Sequence, residues 1–363
     1  SGEGRPCAFR TRYQRMQAIP VARTANLQLF TDALKRIGTP VDRELRRDRL
    51  PTLLDEVPET YVPLDRAVVF LHRMERREGI GDLGTVALGR EAFEGLSERL
   101  LRSVRNAPTL YARFLNLGAT VMVENTHLRL SLKPEDDRTR VCLNLRGVPP
   151  DQDCRHSEWL QINTLVEIVR DAIGPRFAPL ELTVRSSRPV WGSIRQRFPG
   201  AHLRTGCSET SIVLPSLLLS EIRSMAGEAS PSAEIEQVDI SPSFAVEDLG
   251  TSLKLALRSY LADGYPDVHL AADIAGTSVR TLQRRLAKLG LDYSTLVRET
   301  RIEAAGELIT QADASVLDVA YAVGYEDPSN FARAFRQVTG VSPSGYRAQR
   351  NAEGQGLASK PGR

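Results

Sequence analysis

The sequence predicts an α+β N-terminal domain followed by an all-α C-terminal domain, and three observations carry that reading. Up to residue 224 the apolar spacing switches between a helical period and strict alternation; from 250 to 350 only the helical period remains. Between these stretches, residues 225–249 are rich in Ser, Pro, Gly and acids, the composition of a linker. A length of 363 residues agrees with two or three domains at about 150 residues each.

Composition narrows the function classes. With 41% hydrophobic and 26% charged residues the chain reads as globular and not disordered. The longest apolar runs, such as residues 212–219 with Pro215 inside, fall far short of the ~20 residues of a membrane helix. No basic start followed by an apolar stretch suggests a secretory signal. Cys7, Cys142, Cys154 and Cys207 stand far apart without a Cys-x-x-Cys pair, so neither a disulfide framework nor a zinc ribbon is expected. The expectation is a reduced, cytoplasmic protein without a cofactor. Lys and Arg number 34 up to residue 250 against 33 acids, and 14 beyond it against 12, so neither part is a polycation. Any nucleic-acid reading must therefore rest on where the charges sit.

Taken in order, residues 1–16 carry Arg5, Arg10, Arg12 and Arg15 against Glu3 alone and read as a flexible arm, or as an arm that touches nucleic acid. Residues 17–224 form the expected effector-binding or dimerisation domain. Apolar residues at 27, 29, 30, 33, 34 and 37 make one helical face, ended by Gly38; residues 64–74 and 93–104 follow the same period. From 120 to 132 the pattern alternates, a polar turn is expected at 133–138, and alternation resumes at 140–145, as a hairpin would. A helix at 159–173 and strands at 180–184 and 209–214 complete a mostly antiparallel α+β domain, large enough for a core and an internal cavity. The last thirteen residues, 351–363, read as a disordered tail.

Residues 250–350 contain one unit used twice. Ala272 and Ala320, and Gly276 and Gly324, are 48 apart; Leu282 and Phe331, Arg284 and Arg333, and Leu286 and Phe335 are 49 apart. Each copy is a helix-turn-helix: a small Ala allows close crossing, and Gly allows the sharp turn. Ser278 is placed to cap the second helix of the first copy. In the second copy Asp327 is the cap and Pro328 takes the first helical position. Gly290 and Gly340 stop the two helices, a long helix at 293–309 joins the units, and Ser342 and Pro343 open a short last helix. On a helical wheel Leu282, Leu286 and Leu289 face inward, whereas Arg280 and Arg284 face outward beside Gln283 and Lys288. In the second copy Phe331, Phe335 and Val338 face inward, and Ser329, Arg333 and Arg336 outward. From 279 to 289 there are four basic residues and no acid, and from 328 to 350 again four and none. A solvated helix face explains one such helix; the same inside-out pattern on two homologous helices points to groove binding.

The run VLDVAYAVGYEDPSNFARAFRQVTGVSPSGYR at 316–347 resembles the signature of the AraC/XylS transcriptional regulators, and the likeness extends over residues 250–350. It implies seven helices with two helix-turn-helix units on a long linker helix, and binding to double-stranded promoter DNA. It places Arg280, Gln283 and Arg284 at the base-reading positions of the first recognition helix, and Pro328, Ser329, Ala332 and Arg333 at those of the second. The whole expected DNA-contacting set is Ser278, Val279, Arg280, Gln283, Arg284, Lys288, Pro328, Ser329, Ala332, Arg333 and Arg336. Pro328 and Ala332 offer no polar group, so the second helix is expected to hold mainly phosphate. Residues 17–215 more weakly resemble the arabinose-binding-type domain found in part of this family, which supplies no ligand residues here.

An enzyme is not expected. His72, His127, His156, His202 and His269 form no His-x-x-His pair, and there is no Gly-x-Ser-x-Gly or Gly-rich phosphate loop. His72 as a haem ligand, Cys207 with His202 as a redox pair, and a cysteine DNA-repair transferase are each weaker readings than a packed side chain. The expected protein is a sequence-specific transcriptional regulator, a homodimer with RNA polymerase as a further partner. Its N-terminal domain senses a small molecule, mediates dimerisation, or both; the alternative is a protein–protein interaction module without ligand. The linker composition implies a flexible tether that does not transmit a rigid rotation between the domains.

Overall fold

The structure is a computed structural model that describes residues 18–81, 83–86, 91–145, 153–220, 238–239, 246, 248–310 and 314–358. The Arg-rich arm and most of the linker lie outside these residues. The N-terminal domain begins with β1 (Val21–Arg23), α1 (Thr24–Arg36), α2 (Val41–Arg47), β2 (Tyr61–Pro63) and α3 (Leu64–Glu78). It continues through α4 (Leu83–Val86), α5 (Glu91–Glu94), α6 (Glu98–Arg105), α7 (Leu110–Thr120), β3 (Leu128–Glu135), β4 (Arg138–Leu145) and α8 (Arg155–Ile173). Then come β5 (Glu181–Thr183), α9 (Gly192–Arg197), β6 (His202–Arg204), β7 (Ser211–Pro215) and β8 (Val238–Asp239). Six strands form one sheet in the order β6-β5-β7-β4-β3-β8, antiparallel except for the β5–β6 pair. Alternation along β3 turns Leu130 and Leu132 into a core shared with Val141, Leu143, Ile212 and Leu214 and with Ile162, Leu165, Val166 and Val169 of α8.

Local chemistry moves several expected boundaries. Residues 120–123, expected as strand, end α7 and form a 3₁₀ turn, because Thr109 caps a helix whose apolar face ends on the buried Val121. The hairpin strands run on to Glu135 and Arg138, leaving a two-residue turn with Asp136 at φ 53°, in place of the broader turn expected at 133–138. The single helix expected at 93–104 is two, because Ser97 accepts a hydrogen bond from Leu100 N and starts α6. Within the segment read as linker, Val238 and Asp239 pair with Leu132 and Ser131 as an edge strand.

Seven helices follow: α10 (Leu249–Arg258), α11 (Val268–Ile274), α12 (Val279–Lys288), α13 (Tyr293–Ile309), α14 (Val316–Ala322), α15 (Pro328–Thr339) and α16 (Pro343–Ala358). The last is sixteen residues long and runs through 351–358, where a disordered tail was expected.

The two domains are docked, contrary to a freely jointed tether. The ribbon pairs Val21 with Pro63, Ala22 with Val62 and Arg23 with Tyr61. Ala22 and Val62 belong to the N-terminal core, whereas Ile19 and Val21 are buried with Leu249, Leu253, Ala256 and Leu257 of α10, and Tyr61 packs against the same cluster. Ile19 N donates to Ser252 Oγ at 2.9 Å and Tyr260 Oη to the Arg49 carbonyl at 2.9 Å. Thr52 donates through N and Oγ1 to Asp263 at 2.8 and 2.5 Å, and Arg49 pairs with Asp273 on α11.

Candidate nucleic-acid interface

Each helix-turn-helix is built from the backbone outward. In the first, the chain turns after α11 at Gly276 (φ 59°), and Ser278 Oγ accepts from Thr281 N to start α12, with Leu282 and Leu286 fully buried beneath it. In the second, Gly324 has φ 78°, and a Cβ there would stand 3.0 Å from the Leu261 carbonyl oxygen and 3.2 Å from that of Gly264. Conformation and space both demand glycine. Asp327 accepts from Ser329 N at 2.7 Å, and Pro328 opens α15. Phe331 and Phe335 are fully buried, edge-to-face at 5.6 Å, in a chain of rings that extends to Tyr325 and Tyr346.

Two arginines outside the recognition helices are structural. Arg301 on α13 lays its guanidinium 3.5 Å from the Tyr325 ring centroid and donates to the Val323 carbonyl at 2.7 Å, fastening the second turn to the joining helix. Arg347 donates to the carbonyls of Ile309, at 2.8 Å, and Ala314. Both contacts come from other elements, so no local spacing reveals them.

The outward faces match the charge reading. Ser278, Arg280, Gln283, Arg284 and Lys288 are exposed on α12 and Val279 is partly so; Ser329, Arg333 and Arg336 are exposed on α15, with Pro328 and Ala332 partly covered. Leu289 and Val338, expected inside, are 46% and 41% exposed, because each lies in the last turn beyond the crossing with its partner helix. Among the described residues no ion pair engages Arg280, Arg284, Lys288, Arg333 or Arg336. By contrast Lys254 lies 2.9 Å from both Glu299 and Glu303, and Arg258 pairs with Glu307. The acids of α13 are thus turned to α10, and the cations of α12 and α15 remain available to phosphate.

The N-terminal domain holds a partly open pocket of about 80 Å³, walled by Ala22, Phe30, Val62, Leu71, Leu100 and Leu143, with Asn125, Gln161 and Thr164 among its polar lining. Gln161 is 7% exposed, and its Oε1 meets no hydrogen-bond donor among the described residues. Burial pushes the thiols of Cys142 and Cys154 up to about 12, which leaves these two unreactive. His202 faces Glu181 at 3.5 Å and Cys207 the Thr205 carbonyl, which does not make them a redox pair.

Residues 271–349 match a helix-turn-helix domain family. The ornithine utilization regulator of Pseudomonas aeruginosa is 39% identical over 101 residues, 28% of this chain and 30% of that protein. The HTH-type transcriptional regulator VirS of Mycobacterium tuberculosis is 22% identical over 94% of this chain and its own whole length. The HTH-type transcriptional regulator VqsM of Pseudomonas aeruginosa is 32% identical over 281 residues, 74% of this chain and 80% of VqsM, so the likeness reaches well into the N-terminal domain. With a duplicated, capped helix-turn-helix on a joining helix, an α+β domain before it and a relative matched across both, the chain belongs to the AraC-type family of helix-turn-helix transcriptional regulators.

Proposed function

We propose that the protein is a sequence-specific regulator that inserts α12 and α15 into successive major-groove faces of duplex DNA, about 10 base pairs apart. Arg280, Gln283 and Arg284 read base edges; Ser278, Val279 and Lys288 hold the flanking backbone. Pro328, Ser329, Ala332, Arg333 and Arg336 dock the second unit mainly on phosphate. The observation that carries this reading is the row of exposed cations, without ion-pair partners among the described residues, on two helices whose opposite faces are fully buried.

The N-terminal domain binds the effector in its cavity: a small, largely apolar molecule with a hydrogen-bond donor for Gln161 Oε1. The β1–β2 ribbon is the lever. Ala22 and Val62 touch the cavity, and the neighbouring Val21 and Tyr61 touch the core beneath α10. A ligand that shifts one face of the ribbon shifts the seat of the DNA-binding domain on the other. Homodimerisation through the N-terminal domain belongs to the same reading.

Selection of binding sequences from random duplexes with the full chain, then footprinting, tests the first part; protection confined to one groove segment counts against two inserted helices. A thermal-shift screen of apolar donors tests the second: a ligand at 100 times its Kd adds ~2.7 kcal/mol of stability. If no ligand binds while DNA binding persists, the domain is a protein-interaction module. If a ligand binds and DNA affinity and oligomeric state stay constant, the ribbon is not a lever.

A further inference from the structure

His72 and Glu75 stand three residues apart on α3, one turn above each other, and His156 is the second residue of α8, which packs across them. One ligand atom from each of the three lies within 4.8 Å of the others. His156 Nε2 is 3.1 Å from Glu75 Oε2, and the two imidazole rings lie 5.4 Å apart between centroids, tilted by 57°. Glu75 and His156 are buried. His72 Nε2 is enclosed without a hydrogen-bond partner among the described residues, 3.9 Å from Asp153 Oδ2, too far for a hydrogen bond. Arg155 pairs with both Glu75 and Asp153 and so keeps the local charge from being wholly negative.

We propose that His72, Glu75 and His156 form a binding site for a divalent transition cation of the zinc class, with Asp153 the nearest fourth ligand, pinning α3 to α8. Ligands about 2.0–2.1 Å from a tetrahedral zinc stand roughly 3.3 Å apart. The His156–Glu75 separation already matches, and the His72–Asp153 gap needs only side-chain adjustment. Two imidazoles with one or two carboxylates form a donor set that selects zinc, cobalt or nickel over magnesium or calcium. An imidazole ligates through a ring lone pair, so binding here should weaken as pH falls and protons compete for the site. In the metal-free protein one ring nitrogen is an orphan, and the cation gives it a partner. The consequence is local: Leu71 of α3 and Gln161 of α8 both wall the cavity, so the cation braces two of its sides. The proposal rests on the His–Glu–His geometry and not on the cavity's having an effector.

The test uses the full chain, stripped with chelator and dialysed. Titration with Zn²⁺ by calorimetry and with Co²⁺ by visible absorption should give one equivalent bound, a four-coordinate cobalt spectrum and a raised Tm, with no competition from excess Mg²⁺. His72→Ala and Glu75→Gln should each weaken binding by about 100-fold or more. His202→Ala and His269→Ala, on exposed residues far along the chain, should leave it unchanged. His72 is partly exposed, so its replacement keeps the fold, and circular dichroism verifies this for both variants. Absence of stoichiometric binding, or binding that survives His72→Ala and Glu75→Gln in folded protein, overturns the proposal.

Discussion

Replacing Gln161 by Leu should stabilise the free protein and at the same time weaken its response to an effector. Gln161 is 7% exposed in α8 and lines the cavity, and its buried amide oxygen has no donor among the described residues. A buried polar atom left unsatisfied costs about 1–3 kcal/mol, and an apolar side chain of similar size removes that cost without opening a new void. Water moderates the gain: a cavity of about 80 Å³ exceeds the ~30 Å³ share of one water, and an ordered water on Oε1 would recover part of the penalty. The expected result is therefore a gain between near zero and about 3 kcal/mol, a rise of roughly 2–4 °C in Tm per kcal/mol for a domain of this size. Urea unfolding at fixed m measures it. The hydrogen bond proposed between an effector and Oε1 would be worth about 0.5–1.5 kcal/mol net and is lost in the same variant, so effector affinity should fall roughly two- to tenfold. A loss of more than about 1 kcal/mol in the free protein would show that the oxygen already has a partner, and the case for a donor-bearing ligand would fall with it.

Three further outcomes follow from the same geometry. Arg284→Ala should remove about 1–3 kcal/mol of binding to the cognate site and little from scrambled DNA. Arg333→Ala and Arg336→Ala should weaken both alike and each lower the salt slope by about 1; titrations against the two duplexes separate these cases. Gly324→Ala, at φ 78° and with its new Cβ against the Leu261 carbonyl, should cost about 1–3 kcal/mol and reduce DNA affinity, whereas an unchanged Tm would show that the turn tolerates L-residues. Burial, then the neighbouring Arg129, lowers the pKa of His127 to about 4 from an ordinary 6.5. Its contribution, about 3 kcal/mol, is fully present above pH 6.5 and is lost as pH falls toward 4, because the unfolded imidazole takes up the proton first. The difference in unfolding free energy between wild type and His127→Gln, measured from pH 7.5 to 4.5, should narrow by that amount.

The DNA-binding half was legible because its determinants are local: caps, turns and apolar period lie within a few residues of each other, and duplication gave an internal control. Even there the structural roles of Arg301 and Arg347 stayed hidden, since their partners are carbonyls on other elements. The N-terminal half was less legible. Alternation through residues 120–123 imitates a strand, and the cap at Thr109 decides otherwise. Gln161 reads as an ordinary helical residue until the cavity wall opposite it is built. The His72–Glu75–His156 cluster escapes any search for adjacent ligand pairs, since its third member comes 81 residues after the second. The docking of the domains rests on contacts 211 to 233 residues apart, which no linker composition reveals.

Ile19 and Val21 sit in the core of α10, more than 220 residues away along the chain. The DNA-binding domain therefore does not complete its own interior. Cut loose, it would show solvent the apolar face of Leu249, Leu253 and Leu257, an adhesive patch. During synthesis β1 is made long before α10 exists, and its outward face must wait for the rest of the chain. Contacts of such long sequence separation form late and slowly, so completion of folding is expected to lag behind the closing of the N-terminal core. A regulator built this way seats its DNA-binding domain only after its N-terminal domain is assembled.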